Sequence, residues 1–319
     1  MIVSPNVLFK HCYGDYAIAA INVFTLEQVL AVFRAAELSD SPVIIQTTPA
    51  ARDYATAQSL LAMILATAKQ HPDVVYALHL DHGNELHIDS ALQDGRYNSV
   101  MIDASHDPFP ENCKRTKAVV DAAHLQGIFV EAELGVLSGV EDDLIVDVSL
   151  SAYTQPEQAA SFVQQTGCDS LAVAVGTSHG AYKFKGDQGI RFDVLAAIQH
   201  ELPSFPLVLH GGSAVSAAEI ERINAVGGSL LQDARGVSDQ EIRRAIGFGV
   251  CKVNVATDLR VLWTRVHREF FANQPQVFDP VAPGKLYIDA LTKFCMDKFQ
   301  CLNSVEKAAY FRDGKQSNL

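Results

Sequence analysis

The sequence LHLDHG, residues 78–83, closes an apolar run that begins at Val74. The run is rich in aliphatic and β-branched residues, as is typical of a buried strand. Asp81, His82 and Gly83 then end it in direct succession. In parallel barrels, reactive side chains lie at the carboxyl ends of the strands. The stretch therefore predicts a barrel strand with reactive side chains at its carboxyl end.

An alternation of short apolar strands and amphipathic helices extends along the chain. Strands are predicted at 16–23, 42–47, 74–80, 98–103, 127–133, 169–175, 206–210 and 249–255. Helices are predicted between them at 26–38, 56–70, 85–94, 111–125, 155–165, 192–200, 217–226 and 239–246. Eight such units predict an α/β fold, a closed (β/α)8 TIM barrel. An open doubly wound sheet is the alternative, but no G-x-G-x-x-G follows the first strand. Residues 1–319 are expected to form one domain, with a C-terminal helical extension over about 259–319.

The composition argues against several classes of function. With 319 residues, 48% of them hydrophobic, the chain can bury one large core, and no stretch is apolar enough to span a membrane. A formal net charge of −12 argues against a nucleic-acid partner. Residues 1–5 lack the basic start and apolar stretch of a secretory signal, so a cytoplasmic location is expected. Six scattered cysteines are expected to be reduced core thiols.

Polar side chains fall at the ends of the predicted strands. In chain order they are Asn22, Thr48, Asp81 with His82, Asp103, Glu133, His179 in the loop after the sixth strand, His210 and Asn254. The strand ends of a barrel meet at one rim, so these side chains are expected to form one site. Alternation sends His79 to the same side as Asp81, which predicts a polar residue of the barrel interior.

Three of these residues are histidines: His82, His179 and His210. Neutral imidazoles arranged around an open position match a catalytic zinc site. Asp81 directly precedes His82, and a carboxyl group beside a metal-bound substrate is well placed to act as a general acid. A structural hydrogen-bond partner is the alternative reading of Asp81.

The rest of the rim carries further acids and small residues. Asp103 and Glu133 could orient the histidines or hold a second cation position. Glycines and hydroxyl residues occupy the rim at 176–180, 211–213 and 254–257. Late barrel loops whose amides point into the mouth commonly bind phosphate. A phosphorylated substrate is therefore expected.

Two segments depart from the simple repeat. The loop at 134–153 is long and mixes glycines with acidic residues, which predicts a mobile lid. A glycine-rich stretch at 227–237 predicts a second flexible loop. In the C-terminal extension, helices are predicted at 259–271 and 285–298, followed by a polar tail.

Five ordered motifs carry a family resemblance: HLDHG at 79–83, SVMID at 99–103, VEAELG at 130–135, LAVAVGTSHG at 171–180 and PLVLHGGS at 206–213. Over about residues 19–279 the chain resembles the class II, zinc-dependent ketose-bisphosphate aldolases. The resemblance implies reversible cleavage of fructose 1,6-bisphosphate to dihydroxyacetone phosphate and glyceraldehyde 3-phosphate. It also implies a zinc cofactor, a Na⁺ or K⁺ ion near the phosphate loops, and a homodimer or homotetramer.

The resemblance also implies roles for the metal-binding residues. His82, His179 and His210 match the catalytic zinc ligands. Asp103 and Glu133 match residues that hold a more buried position of the metal.

Other positions match residues that act on the substrate. Asp81 matches the acid that exchanges a proton with the aldehyde oxygen, and Glu141 matches a lid carboxylate that exchanges a proton with the three-carbon ketose. Arg260 resembles an arginine that reaches the distal phosphate in a neighbouring subunit. With the residues of the rim loops, the expected substrate contacts are Asn22, Thr48, Gly180, Gly211, Gly212, Ser213, Asn254, Val255, Ala256, Thr257 and Arg260.

The identity of the sugar is less sharply indicated. Ala256 resembles the residue found in the tagatose-bisphosphate branch of the family, whereas TDLR at 257–260 and FDP at 278–280 resemble motifs of the fructose-bisphosphate branch. Fructose 1,6-bisphosphate is favoured, and tagatose 1,6-bisphosphate or another phosphorylated ketose is the alternative. A noncatalytic sugar-phosphate-binding barrel and a metal-dependent epimerase or hydrolase are the competing hypotheses. Lys252 is the lysine considered for the Schiff-base chemistry of the unrelated class I aldolases, which is not favoured.

Overall fold

The computed structural model describes residues 1–136, 139–141, 144–146, 153–177, 189–231 and 236–312. Its strands are β1 (Ile18–Asn22), β2 (Val43–Thr47), β3 (Tyr76–Gly83), β4 (Ser99–Ile102), β5 (Phe129–Leu134), β6 (Gly139–Glu141), β7 (Leu144–Val146), β8 (Ser170–Val173), β9 (Leu207–Leu209) and β10 (Val250–Val255). Eight of them form a closed barrel in the order β1-β10-β9-β8-β5-β4-β3-β2. Every pairing in the barrel is parallel; Ala20 of β1, for example, lies between Asn254 of β10 and Ile44 of β2. The predicted TIM barrel is confirmed.

Helices surround the barrel. They are α1 (Pro5–Cys12), α2 (Leu26–Leu38), α3 (Pro49–Ala55), α4 (Ala57–Gln70), α5 (Glu85–Asp94), α6 (Phe109–His124), α7 (Pro156–Thr166), α8 (Phe192–Glu201), α9 (Ala217–Ala225), α10 (Asp239–Ile246), α11 (Thr257–Asn273), α12 (Val281–Cys301) and α13 (Ala309–Arg312). The eight predicted crossover helices are present, with ends shifted by up to two residues. Helices α1, α3 and α13 were not predicted, and the segment predicted as a lid loop contains the β6–β7 hairpin.

The two ends of the barrel differ in chemistry. Leu8 and Phe9 of α1 pack with inward residues of the strands, and the rings of Phe9 and Phe129 meet edge to face with centroids 5.5 Å apart. The amino-terminal end is thus filled by apolar side chains, and the polar side chains are gathered toward the carboxyl end. The six cysteines are free, buried thiols, as expected.

The C-terminal extension packs against the outside of the barrel. Helix α12 contacts α2, with the hydroxyl of Tyr287 bound to Gln28 (3.1 Å) and donating to the carbonyl oxygen of Leu259 (3.1 Å). Just beyond α12, the carbonyl of Leu302 accepts a hydrogen bond from the amide of Ala17 (3.1 Å). No helix in the described part of the chain combines the length and apolar character needed to cross a bilayer.

Candidate active site

An irregularity at the end of β3 directs two adjacent side chains toward the same region. The pairing of β3 with β4 shifts register between Leu80 and Gly83, and His82 has a φ of 47°. This left-handed conformation is unfavourable for a residue with a Cβ atom. Because regular alternation is broken here, Asp81 and His82 can both offer a ligand atom within 4.8 Å of His210.

Gly83 is required by the packing around this irregularity. A Cβ atom at Gly83 would lie 2.8 Å from the carbonyl oxygen of Met101 and 2.8 Å from Cγ1 of Ile88. The backbone contact leaves little room for adjustment, so a larger residue would push the strand end outward. The glycine therefore helps to fix the positions of Asp81 and His82.

The ring of His82 is oriented by Asp103. His82 Nδ1 lies 2.9 Å from Asp103 Oδ2, and Asp103 Oδ1 accepts hydrogen bonds from the Ser105 amide (3.1 Å) and hydroxyl (2.8 Å). Burial alone would raise the pKa of Asp103, but the hydrogen bonds from His82 and Ser105 hold it well below its usual range. An ionised carboxylate only accepts hydrogen bonds, so Nδ1 carries the proton and Nε2 is suited to bind a metal.

The ring of His210 is buried between two glutamates. His210 Nε2 lies 3.0 Å from Glu131 Oε1, and His210 Nδ1 lies 3.3 Å from Glu133 Oε2. Burial lowers the pKa of His210, but the charge of Glu133 and the hydrogen bonds to both glutamates raise it to about 9. The ring centroids of His82 and His210 are 4.7 Å apart. Two of the three predicted zinc ligands are therefore neighbours.

Asp81 is fully buried and held by two amide side chains. Asn22 Nδ2 donates to Asp81 Oδ2 (2.9 Å), and Asn254 Nδ2 donates to Asp81 Oδ1 (3.1 Å). Gln46, which was not predicted as a site residue, donates from Nε2 to Asn22 Oδ1 (2.7 Å). Two predicted substrate contacts, from strands β1 and β10, thus lie beside the predicted acid.

Beneath the two histidines lies a charged cluster inside the barrel. Lys252 Nζ donates to both oxygens of Glu131, at 2.7 and 2.9 Å, and lies 3.3 Å from His79 Nε2. His79 Nδ1 is 2.7 Å from the hydroxyl of Ser99, so His79 is an interior residue as predicted. Burial alone would raise the pKa of Glu131, but Lys252 and His210 hold it far below its usual range. Glu131 was missed as a site residue, although its spacing of two from Glu133 on one strand could have indicated it.

The late rim loops lie side by side. The hydroxyl of Ser213 accepts a hydrogen bond from the amide of Ala256 (3.4 Å). A Cβ atom at Gly212 would lie 2.4 Å from Val253 Cγ1 and 2.9 Å from the carbonyl oxygen of Asn254. Two of the segments predicted to bind phosphate, 211–213 and 254–257, are thus in contact.

The remaining predicted residues fall in different surroundings. Thr48 is buried at the start of α3, where its hydroxyl accepts from the amide of Ala51 (3.2 Å). Thr257 begins α11, and the guanidinium of Arg260 lies 5.3 Å from the centroid of the Phe24 ring. His179 and Gly180 lie outside the described residues, and only the backbone of Glu141, in β6, is described.

The described side chains include groups that could hold a metal ion. One is Asp81, His82 and His210; a second is His82, Asp103 and Glu133; a third is His79, Asp81 and Glu131. Imidazole and carboxylate donors together suit zinc. Glu133 Oε2 is buried and faces two of the predicted zinc ligands, 3.3 Å from His210 Nδ1 and 3.9 Å from His82 Nδ1. The donor set therefore fits a metal ion.

The chain matches known proteins along nearly its whole length. Residues 4–307 match the family described as class-II fructose-bisphosphate aldolase. The chain is 42% identical over 308 residues to a fructose-bisphosphate aldolase of Giardia intestinalis, covering 95% of this chain and 92% of the relative. It is 41% identical over 303 residues to a fructose-bisphosphate aldolase of Thermus caldophilus, covering 94% of this chain and 98% of the relative.

Solved structures give the same result. The YdjI aldolase from Escherichia coli K12 superposes with a TM-score of 0.77 and 30% identity, covering 97% of this chain and 100% of that one. A putative fructose-1,6-biphosphate aldolase from Coccidioides immitis has a TM-score of 0.78 and 28% identity, covering 96% of this chain and 97% of that one. The chain therefore belongs to the class-II fructose-bisphosphate aldolase family and is a lyase of the aldolase type.

Proposed function

We propose that this aldolase reversibly cleaves fructose 1,6-bisphosphate to dihydroxyacetone phosphate and glyceraldehyde 3-phosphate, with a zinc ion at the barrel rim. The observation that carries the proposal is the group of Asp81, His82 and His210, whose ligand atoms lie within 4.8 Å of one another. A proton-transfer group beside a metal site is what aldol cleavage without a lysine Schiff base requires. The names of the relatives support the choice of substrate.

His82, His179 and His210 would hold the zinc ion, and Asp103 and Glu133 would hold its more buried position. The atoms suited to the metal are Nε2 of His82 and Nδ1 of His210, because Asp103 and Glu131 bind the other ring nitrogens. Zinc bound there would supply a Lewis acid that polarises the ketose carbonyl.

Asp81 would act as the proton-transfer group of the bond-breaking step. In cleavage its carboxylate accepts the proton of the hydroxyl that becomes the aldehyde, and in condensation it returns that proton. The amides of Asn22 and Asn254 hold both carboxylate oxygens, so the group enters the reaction in a fixed orientation. Glu141, on the lid segment, would exchange the proton of the three-carbon ketose.

The substrate's phosphates would be bound by backbone amides and hydroxyls of the adjoining rim loops. The proposed contacts are Asn22, Thr48, Gly180, Gly211, Gly212, Ser213, Asn254, Val255, Ala256, Thr257 and Arg260. Ala256, an alanine where the fructose branch commonly has aspartate, keeps tagatose 1,6-bisphosphate as the second candidate substrate. The family resemblance further supports one domain, a homodimer or homotetramer, a Na⁺ or K⁺ ion near the phosphate loops, and a cytoplasmic location.

A parallel cleavage assay tests the proposal. The purified protein, with added zinc, is given fructose or tagatose 1,6-bisphosphate, and triose phosphate formation is followed. We expect faster cleavage of the fructose substrate, loss of activity with a chelator, and recovery with zinc. Borohydride added with substrate should not inactivate the enzyme. Preference for tagatose 1,6-bisphosphate would replace the substrate assignment, and inactivation by borohydride without sensitivity to chelator would overturn the zinc mechanism.

A further inference from the structure

We propose that Glu131 and Lys252 form a positioning pair that sets the orientation of the metal ligand His210, an inference that rests on the proposed function. The pair joins β5 to β10 across the barrel interior. Its carboxylate is within hydrogen-bond distance of His210 Nε2 (3.0 Å), and its ammonium binds both carboxylate oxygens (2.7 and 2.9 Å). Each of the three side chains is at most 1% exposed.

The placement of the pair is not explained by stability alone. Burying an ion pair requires removal of two charges from water, and apolar side chains of similar volume usually stabilise such a position equally well or better. The amino-terminal layer of the same barrel is filled in that apolar way, by residues such as Ile44, Ala77 and Phe129. A charged layer directly below the histidines therefore indicates a role in the site.

The geometry assigns that role. His210 could in principle present either ring nitrogen to the rim. Because Glu131 binds Nε2, the proton is placed there and Nδ1 faces Glu133, 3.3 Å away. A carboxylate that binds the second nitrogen of a ligating histidine fixes its tautomer and makes it a stronger ligand.

Lys252 acts on His210 through Glu131, and its Nζ also lies 4.0 Å from Oδ1 of Asp81. It neutralises Glu131 and is itself held 3.3 Å from His79 Nε2, while His79 Nδ1 is bound to the hydroxyl of Ser99 (2.7 Å). This chain of contacts fixes the position of the carboxylate on the side away from His210. Lys252 thereby fixes the position of the Glu131 carboxylate without contacting the imidazole of His210.

Zinc affinity and stability, measured separately, test the inference. The variants are Glu131→Leu, Lys252→Met and the double variant, with zinc affinity measured by competition with a chromophoric chelator and stability by urea unfolding of the metal-free protein. We expect Glu131→Leu to weaken zinc binding on the order of 10- to 100-fold. It should also lower stability, because the buried Lys252 loses the carboxylate that accepts both of its short hydrogen bonds. The double variant should regain stability but keep the weakened zinc binding.

Lys298→Met is the matched control. Lys298 is also a buried lysine, 5% exposed and 3.3 Å from an oxygen of Asp239, but it lies on α12 outside the barrel. This variant should lose some stability and bind zinc with wild-type affinity.

The outcomes separate the two proposals. If the double variant regains both stability and wild-type zinc affinity, the pair is only structural and the inference is wrong. If the wild-type protein itself binds no zinc or cleaves no ketose bisphosphate, the proposed function fails instead. Loss of kcat in Glu131→Leu under saturating zinc, with KM unchanged, would further support misorientation of His210, because this variant keeps Lys252, whose Nζ lies 4.0 Å from Asp81 Oδ1.

Discussion

The imidazole of His210 should make the stability of the metal-free protein fall as the pH rises from 6 to 8. Its pKa in the folded protein is raised to about 9, against an ordinary value near 6.5. A group whose pKa is raised by folding stabilises the protein fully below its unfolded pKa, and that stabilisation is lost as the pH rises through the folded value. Each pKa unit corresponds to about 1.4 kcal/mol.

The magnitude follows from these two pKa values. The protonated ring contributes about 3 kcal/mol at pH 6 and a little over 1 kcal/mol at pH 8, so the expected loss is about 2 kcal/mol. The ring is fully buried, so solvent does not screen its interactions with Glu131 and Glu133.

Urea unfolding in the presence of a chelator measures this loss. The free energy of unfolding is determined at pH 6, 7 and 8 for the wild type and for His210→Gln, whose amide does not titrate. Buried thiols and other titrating groups are common to both proteins, so their contributions largely cancel in the comparison. The wild type should lose about 2 kcal/mol more than the variant over this range. Equal pH dependence in the two proteins would refute the reasoning.

Three further substitutions test the described geometry. Asp81→Asn should reduce kcat by about 10²- to 10⁴-fold while zinc stoichiometry is unchanged, and a fully active variant would exclude Asp81 as the proton-transfer group. Asn22→Ala should lower kcat by about tenfold with a smaller change in zinc affinity, because one oxygen of Asp81 loses its hydrogen-bond donor. An equal fold loss of kcat and of zinc affinity would instead indicate that the whole site is disrupted. Gly83→Ala should lower the free energy of unfolding by about 1–3 kcal/mol because its Cβ would meet the Met101 carbonyl, and an unchanged urea midpoint would contradict that contact.

The barrel could be predicted because two periodicities alternate along the sequence. Apolar runs of strand length and amphipathic helices succeed one another, and helix bounds such as Leu26–Leu38 and Glu85–Asp94 were predicted without error. Helices α1 and α3 were missed because neither belongs to the repeat of one strand and one helix: α1 precedes β1, and α3 is an additional helix between β2 and α4. The β6–β7 hairpin was missed because its strands are only three residues long.

The gathering of polar side chains at the barrel rim could be predicted from strand ends, and so could an interior position for His79, but the charge pairing inside the barrel could not. Strand alternation alone would point the side chains of Asp81 and His82 apart, and the left-handed backbone of His82 that brings both into the site has no sequence signature. Glu131 pairs with Lys252, which lies 121 positions further along the chain. Such pairs depend on barrel closure and register, which local patterns do not specify.

The left-handed backbone of His82 has a consequence for how this protein can change. Holding a histidine at a φ of 47° costs about 1 kcal/mol, a cost that glycine or asparagine at this position would largely avoid. Variants selected only for heat resistance should therefore accumulate such replacements and lose a proposed metal ligand. At this position, the residues that relieve backbone strain cannot replace the imidazole of the proposed metal ligand. Selection for thermostability must therefore be accompanied by selection for turnover.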